Sequence, residues 1–187
     1  VSASGSTTFF TDRWSILENT DGTATGQQTT TAPTGFSNSL LFTVTSADSS
    51  LTTTQQAIIR QPIEGFNTSD LSFGTANAQT VTLSFWVRSS VTGTFSGSLR
   101  NSPNDRSYPF TYTISVANTF EQKTVTIAGD TTGTWLTTNG SGIEVGFSLG
   151  AGSTYSGTAN TWAGSYYVQP TSSTNLVGTN GATFYIT

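Results

Sequence analysis

The residues able to do chemistry in this chain are few, and their types narrow the options at once. Its 187 residues include no His, no Cys and no Met. A Ser-His-Asp triad, a cysteine nucleophile, a thiolate or imidazole zinc site and the common haem ligands therefore cannot be assembled. Carboxylate, Lys and Tyr chemistry is left. A glycosidase needs only two carboxyl groups, about 5 to 9 Å apart, but the ten acids are spread singly along the chain. Glu64, Glu121 and Glu144 would have to converge to make such a pair. Asp12, Glu18 and Asp21 offer the hard oxygens that calcium takes, without the spacing of a calcium loop. Neither set forms a motif, so no catalytic residue, metal or cofactor is assigned, and no enzymatic activity is expected.

The aromatic residues carry more information. Trp86 lies on the Thr/Ser side of an alternating run whose other side is apolar. An open ring there can stack on a sugar, with Arg88 and Glu144, on the same type of face, supplying hydrogen bonds. The other arrangement, and the commoner one, has Trp86 covered by a loop or a neighbouring subunit. Trp135 and Trp162 sit in Gly/Thr-rich loops, where a Trp either pins the loop or presents a binding anchor. Trp14 follows the apolar pair Phe9-Phe10 and reads as core. Among the charges, Arg60 and Glu64 suggest an ion pair within a sheet, and Asp105 is placed to pair with Arg100 or Arg106 in a polar turn. The six basic residues are scattered in a chain of net charge −4, which argues against a nucleic-acid surface. No apolar run approaches the roughly 20 residues of a membrane span, and no signal peptide is visible.

Strands must position these side chains. Residues 81–88 alternate strictly, with Val81, Leu83, Phe85 and Val87 on one side and Thr82, Ser84, Trp86 and Arg88 on the other. Residues 110–115, 124–127 and 143–149 repeat the pattern, and 40–44, 58–63 and 183–187 do so more weakly. Residues 9–16, 94–100 and 166–168 are plausible additions. Asp21-Gly22, Gly129-Asp130, Asn139-Gly140 and Asn180-Gly181 mark tight turns. Helix is limited to a turn or two near residues 46–56, and the Thr/Ser-rich stretches 23–34 and 171–179 read as long loops or edge segments within one domain, 1–187. Pro62 implies an edge or a bulge. These signals predict an all-β, antiparallel jelly-roll sandwich of about eight to ten strands with negligible helix. Its core should hold Leu83, Phe85, Val87, Tyr112, Ile114, Val125, Ile127, Val145, Phe147 and Leu149.

Three strings, Ile58-Ile59-Arg60-Gln61-Pro62-Ile63-Glu64-Gly65, Val81-Thr82-Leu83-Ser84-Phe85-Trp86-Val87-Arg88-Ser89 and Lys123-Thr124-Val125-Thr126-Ile127, carry a resemblance. With Asp12-Arg13-Trp14, Asp130-Thr131-Thr132-Gly133-Thr134-Trp135 and the closing Gly181-Ala182-Thr183-Phe184-Tyr185-Ile186-Thr187, the chain resembles a family of bacteriophage virion proteins. A jelly-roll domain similar to carbohydrate-binding modules occurs in their tail fibres, head fibres and other structural proteins. The resemblance covers nearly the whole chain. It implies a virion-surface structural or capsid decoration protein that contacts other virion proteins and forms a homo-oligomer, a trimer at family level. The alternative is a host-adhesion module recognising surface glycans. Members of the family usually continue beyond the last strand, so this chain is expected either to stop at a domain edge or to lack the remainder. The resemblance supplies no catalytic residues.

Overall fold

The computed structural model describes residues 2–3, 6–11 and 13–187. Among these, two antiparallel sheets enclose one core. Sheet A contains β1 (Ser2–Ala3), β4 (Thr23–Thr29), β5 (Ser39–Ser46), β7 (Val81–Ser89), β10 (Glu121–Ile127) and β14 (Thr183–Ile186), in the order β1-β4-β5-β14-β7-β10. Sheet B contains β2 (Ser6–Thr11), β3 (Trp14–Glu18), β6 (Gln56–Glu64), β8 (Gly93–Arg100), β9 (Ser107–Ile114) and β11 (Ser141–Ala151), in the order β2-β3-β6-β11-β8-β9. A short parallel pair, β12 (Ser156–Gly157) and β13 (Gln169–Pro170), lies apart.

The pairings themselves define the jelly roll. The hairpin β8-β9 is the tip of a folded ribbon in which β7 pairs β10, β6 pairs β11 and β5 pairs β14, all antiparallel. Rolling that ribbon sends alternate pairs to opposite sheets, β5-β14-β7-β10 and β6-β11-β8-β9, which is the double Greek-key arrangement. β3 and β4 extend the two sheets beside β6 and β5.

Period-2 alternation places the core as anticipated for Phe85, Val87, Tyr112, Ile114, Ile127, Val145, Phe147 and Leu149, all buried. Tyr112 and Phe147 meet Phe85 edge to face, at 5.1 and 4.9 Å respectively. Leu83 and Val125 are only half-buried. Leu83 lines a gap of about 160 Å³ where the sheets part at one pole, and Val125 belongs to the edge strand β10. Trp14 stacks on Phe147 at 6.4 Å, partly buried against the core.

Other expectations need correction. Residues 23–29 are strand β4, not loop. Its inward positions, Ala24, Gly26 and Gln28, are too small or polar to reveal the alternation. No helix forms at 46–56; the four three-residue 3₁₀ turns lie at Gly65–Asn67, Ser69–Leu71, Ser153–Tyr155 and Leu176–Gly178. Residues 166–168 precede β13 instead of forming a strand. Pro62 sits in a central strand, but the pairing of β3 stops at Arg60, so its missing N–H faces an unpaired side. Of the four turn dipeptides, Gly181 adopts a left-handed φ of 74°, as the turn into β14 requires.

Candidate functional site

The outer faces of the two sheets differ in what lies over them. Sheet B is roofed. After β11 the chain returns across its outer face, tied down by Asn160 N–H to Pro109 O at 2.7 Å, Ser107 Oγ to Ser165 O at 2.7 Å, and Thr174 N–H to Thr94 O at 2.8 Å. Ser107 and Ala163 exchange both backbone hydrogen bonds. Beneath the roof, Arg100 is wholly buried. One of its amino groups bonds Glu144 Oε1, and Tyr166 covers its guanidinium at 4.5 Å. Glu144 Oε2 also meets Arg60 Nη1 at 3.5 Å, and Arg60 donates to Ser15 and Thr7. The expected Arg60–Glu64 pair is therefore replaced by Arg60–Glu144, because β11 runs beside β6 and presents Glu144 opposite Pro62.

The polar loop before β9 is a turn, as its composition suggests, but with other partners. Asp105 accepts from Asn101 Nδ2 at 2.6 Å. Arg106 forms a two-pronged pair with Asp130, at 2.6 and 2.8 Å, which holds its guanidinium above its ordinary pKa. Asp130 also accepts from the backbone and hydroxyl of Thr132. Gly133, at φ 80°, lets this turn press against the Arg106 stem, where a Cβ would lie 2.4 Å from Cγ. Trp135 and Trp162 belong to the same pole. Their rings meet each other at 5.5 Å and Phe73 at 4.9 and 6.0 Å. Their indole N–H groups donate to Thr132 O and Ala128 O, at 3.1 and 2.7 Å.

Sheet A presents an open face. Trp86 is partly buried, and its indole N–H has no partner among the described residues. Trp14, Trp135 and Trp162 pack against the core, whereas Trp86 does not join that cluster. Beside it, Arg88 lies between two rings, 4.8 Å from the Tyr185 centroid and 5.8 Å from that of Phe120. The register explains this bracing. Tyr185 on β14 stands opposite Arg88, and Phe120 immediately precedes Glu121, which pairs Val87. Gln122 stands opposite Trp86 and bonds Ser84. Leu41 lies beyond Tyr185. The remaining outward positions on the paired strands of this face carry Thr, Ser and Gln, with no carboxylate among the described residues.

The five residues singled out from sequence thus fall in three places. Trp86 and Arg88 share the open face of sheet A. Glu144 does not flank them; it belongs to sheet B, bound to two arginines. Trp135 and Trp162 are bonded and ring-packed at the pole. Tyr185 and Phe120 were missed, although the alternation of 183–187 puts Tyr185 on the polar side from Phe184. Glu121 lies on sheet A, paired with Lys123 at 2.7 Å, away from Glu64 and Glu144, which stand on the neighbouring strands β6 and β11 of sheet B with Glu144 held by two arginines. Asp12 lies outside the described residues, Glu18 is buried and bonded to Thr20, and Asp21 is exposed. No cluster of three or more candidate metal ligands occurs among the described residues.

Comparison with known proteins gives architectural likeness only. No protein-family model matches the chain, and no curated protein matches it. Among solved structures, the chain is similar to the enzymatically active domain of bacteriophage CBA120 tailspike protein 4, with TM-score 0.47, 15% identity and coverage of 93% of this chain. It spans about a fifth of that tailspike chain, 18%. It is similar to a family 4 carbohydrate-binding module, with TM-score 0.44, 16% identity and coverage of 94% and 90% of the two chains. A family 11 carbohydrate-binding module from Clostridium thermocellum, in complex with a β-1,3-1,4-mixed-linked tetrasaccharide, gives TM-score 0.43, 10% identity and coverage of 97% and 91%.

Proposed function

We propose that this chain is a non-enzymatic recognition module carried on the surface of a phage particle, and that it binds surface glycans through the outer face of sheet A. One observation carries the binding reading: Trp86 keeps its ring off the core and its N–H unspent, beside the braced Arg88 and the amide of Gln122. A sugar ring presents an apolar face for stacking and hydroxyls at its rim, which a partly exposed indole flanked by planar polar groups can meet together. The virion setting rests on the sequence resemblance. The non-enzymatic reading rests on the absence of His and Cys from the chain and on the engagement of Glu121 by Lys123 and of Glu144 by Arg60 and Arg100. The test is a glycan array probed with the wild-type protein and with Trp86→Ala. Binding by wild type that Trp86→Ala abolishes, with folding unchanged, supports the reading. Flat wild-type binding across host glycans overturns it.

A second reading, a structural or decoration role through contacts between copies, is favoured by large apolar side chains left exposed elsewhere. Phe9 and Phe66 are 65% and 64% exposed. Low charge suits such contacts, since little desolvation opposes them. Under this reading the chain is a homo-oligomer, a trimer by family likeness. Sedimentation distinguishes it: a trimer that Phe66→Ser or Phe9→Ser disperses supports it, and a monomer at high concentration contradicts it.

A further inference from the structure

The outer face of sheet A carries one charge, and that charge has no internal partner. Arg60 and Arg100 pair with Glu144, Arg106 with Asp130 and Lys123 with Glu121. Among the described residues Arg88 makes no ion pair and no side-chain hydrogen bond, and its Nε is buried without a partner. Only the flanking rings of Phe120 and Tyr185 hold it. A guanidinium left in this condition forfeits part of its hydration without a compensating hydrogen bond. The surroundings make this more pointed, because the chain as a whole is acidic, at −4, while the outward positions around Arg88 include no carboxylate.

Resting on the glycan-binding reading above, we infer that the ligand is an acidic saccharide whose uronate carboxylate is taken by Arg88 while a sugar ring stacks on Trp86. The geometry suits that class. Two residues apart on one face of a strand, the side chains stand roughly 7 Å apart, so ring and carboxylate are engaged side by side. The planar fork of Arg matches a planar carboxylate with two parallel hydrogen bonds, and the rings of Tyr185 and Phe120 hold that fork in place before binding. A single cation on a neutral face neutralises one negative charge per site, as a uronate carries. Trp86 supplies the stacking that any sugar shares; Arg88 supplies the selection.

The experiment measures binding of polygalacturonate, polymannuronate and polyglucuronate oligomers, and of carboxyl-reduced counterparts of the same length and linkage, to the wild-type protein by calorimetry. Arg88→Gln, Arg88→Met and Arg88→Lys are measured alongside, with a melting curve for each variant. At least one uronate oligomer is expected to bind about tenfold or more tightly than its reduced form, the scale of one charge-assisted hydrogen-bonded pair. That preference should weaken with added salt. Arg88→Gln and Arg88→Met should erase it while leaving residual Trp86-dependent binding, and Arg88→Lys should keep part of it. Arg88→Met retains the apolar stem between the rings, so it remains informative if Arg88→Gln unfolds. Equal binding of acidic and reduced oligomers overturns the inference and leaves glycan binding standing, as does Trp86-dependent binding confined to neutral glycans. No binding to any sugar, with a change of sedimentation in the Arg88 variants, overturns both and makes the face a contact between copies.

Discussion

The outer faces of sheets A and B are both lined with short polar residues around arginine, yet they treat that arginine oppositely. On sheet B the charge of Arg100 is enclosed, paired with Glu144 and covered by Tyr166 under the returning segment. On sheet A the charge of Arg88 is braced by rings but not neutralised, and the partly buried Trp86 beside it does not join the core cluster. A charge paired internally serves the fold, because removing its partner strands it in a poor solvent. A charge held in position without a partner is available to something outside the chain. The same contrast divides the tryptophans. Trp135 and Trp162 spend their N–H groups on loop carbonyls, while that of Trp86 finds no partner among the described residues.

The comparison can be broken first on sheet B. Glu144→Gln leaves Arg100 buried without a counter-charge, and chemical denaturation should show a loss of about 3 to 5 kcal/mol; a loss under 1 kcal/mol would mean that the roof admits water to Arg100. Trp162→Ala should cost about 3 kcal/mol, the low end for deleting a large packed ring because this one is only partly buried, with loss of the hydrogen bond to Ala128 included. Asp130→Asn, which weakens the two-pronged pair with Arg106, should cost roughly 2 kcal/mol, read from the same unfolding curves. Trp86→Ala should cost under about 1.5 kcal/mol, since its ring is outside the core cluster. A cost equal to that of Trp162→Ala would place Trp86 among the structural residues.

The smallest effect concerns Glu121. Burial alone would raise its carboxyl, but bonds from Lys123 and from the N–H groups of Val116 and Ser115 outweigh it and hold the pKa below the ordinary 4.5. A lowered carboxyl contributes stability above its unfolded pKa and loses it as pH falls through the folded value. Glu121→Gln should therefore remove under about 1 kcal/mol at neutral pH and flatten the acid side of the stability curve below about pH 4.5. An unchanged acid slope would show that this pair adds nothing.

How legible these features were in sequence depended on whether the signal was local. The strands at 81–88 and 143–149 were visible because bulky inward residues alternate with polar ones along a single segment. Strand β4 was hidden because Ala24, Gly26 and Gln28 face inward. The Trp86 and Arg88 pair was likewise legible, being two positions apart on the polar side of one strand. Their neighbours Tyr185 and Phe120 come from β14 and from the segment before β10, so finding them required the sheet order. The Arg60–Glu144 pair joins residues 84 positions apart, and a nearer acid, Glu64, was the natural but mistaken partner. The roof over sheet B was invisible for a related reason. Its anchors are backbone groups and small side chains, such as Ser107 and Ala163, that carry no pattern of their own.

The most direct test of an open Trp86 platform is the set of indole N–H resonances in a nitrogen-15-labelled sample, titrated with the best binder from the glycan array. Each of the four tryptophans contributes one resonance. The Trp86 N–H should exchange rapidly with solvent in the free protein and shift on titration, while those of Trp135 and Trp162 stay protected and unmoved. A Trp86 resonance that is protected from exchange and unaffected by a saturating glycan would contradict the account.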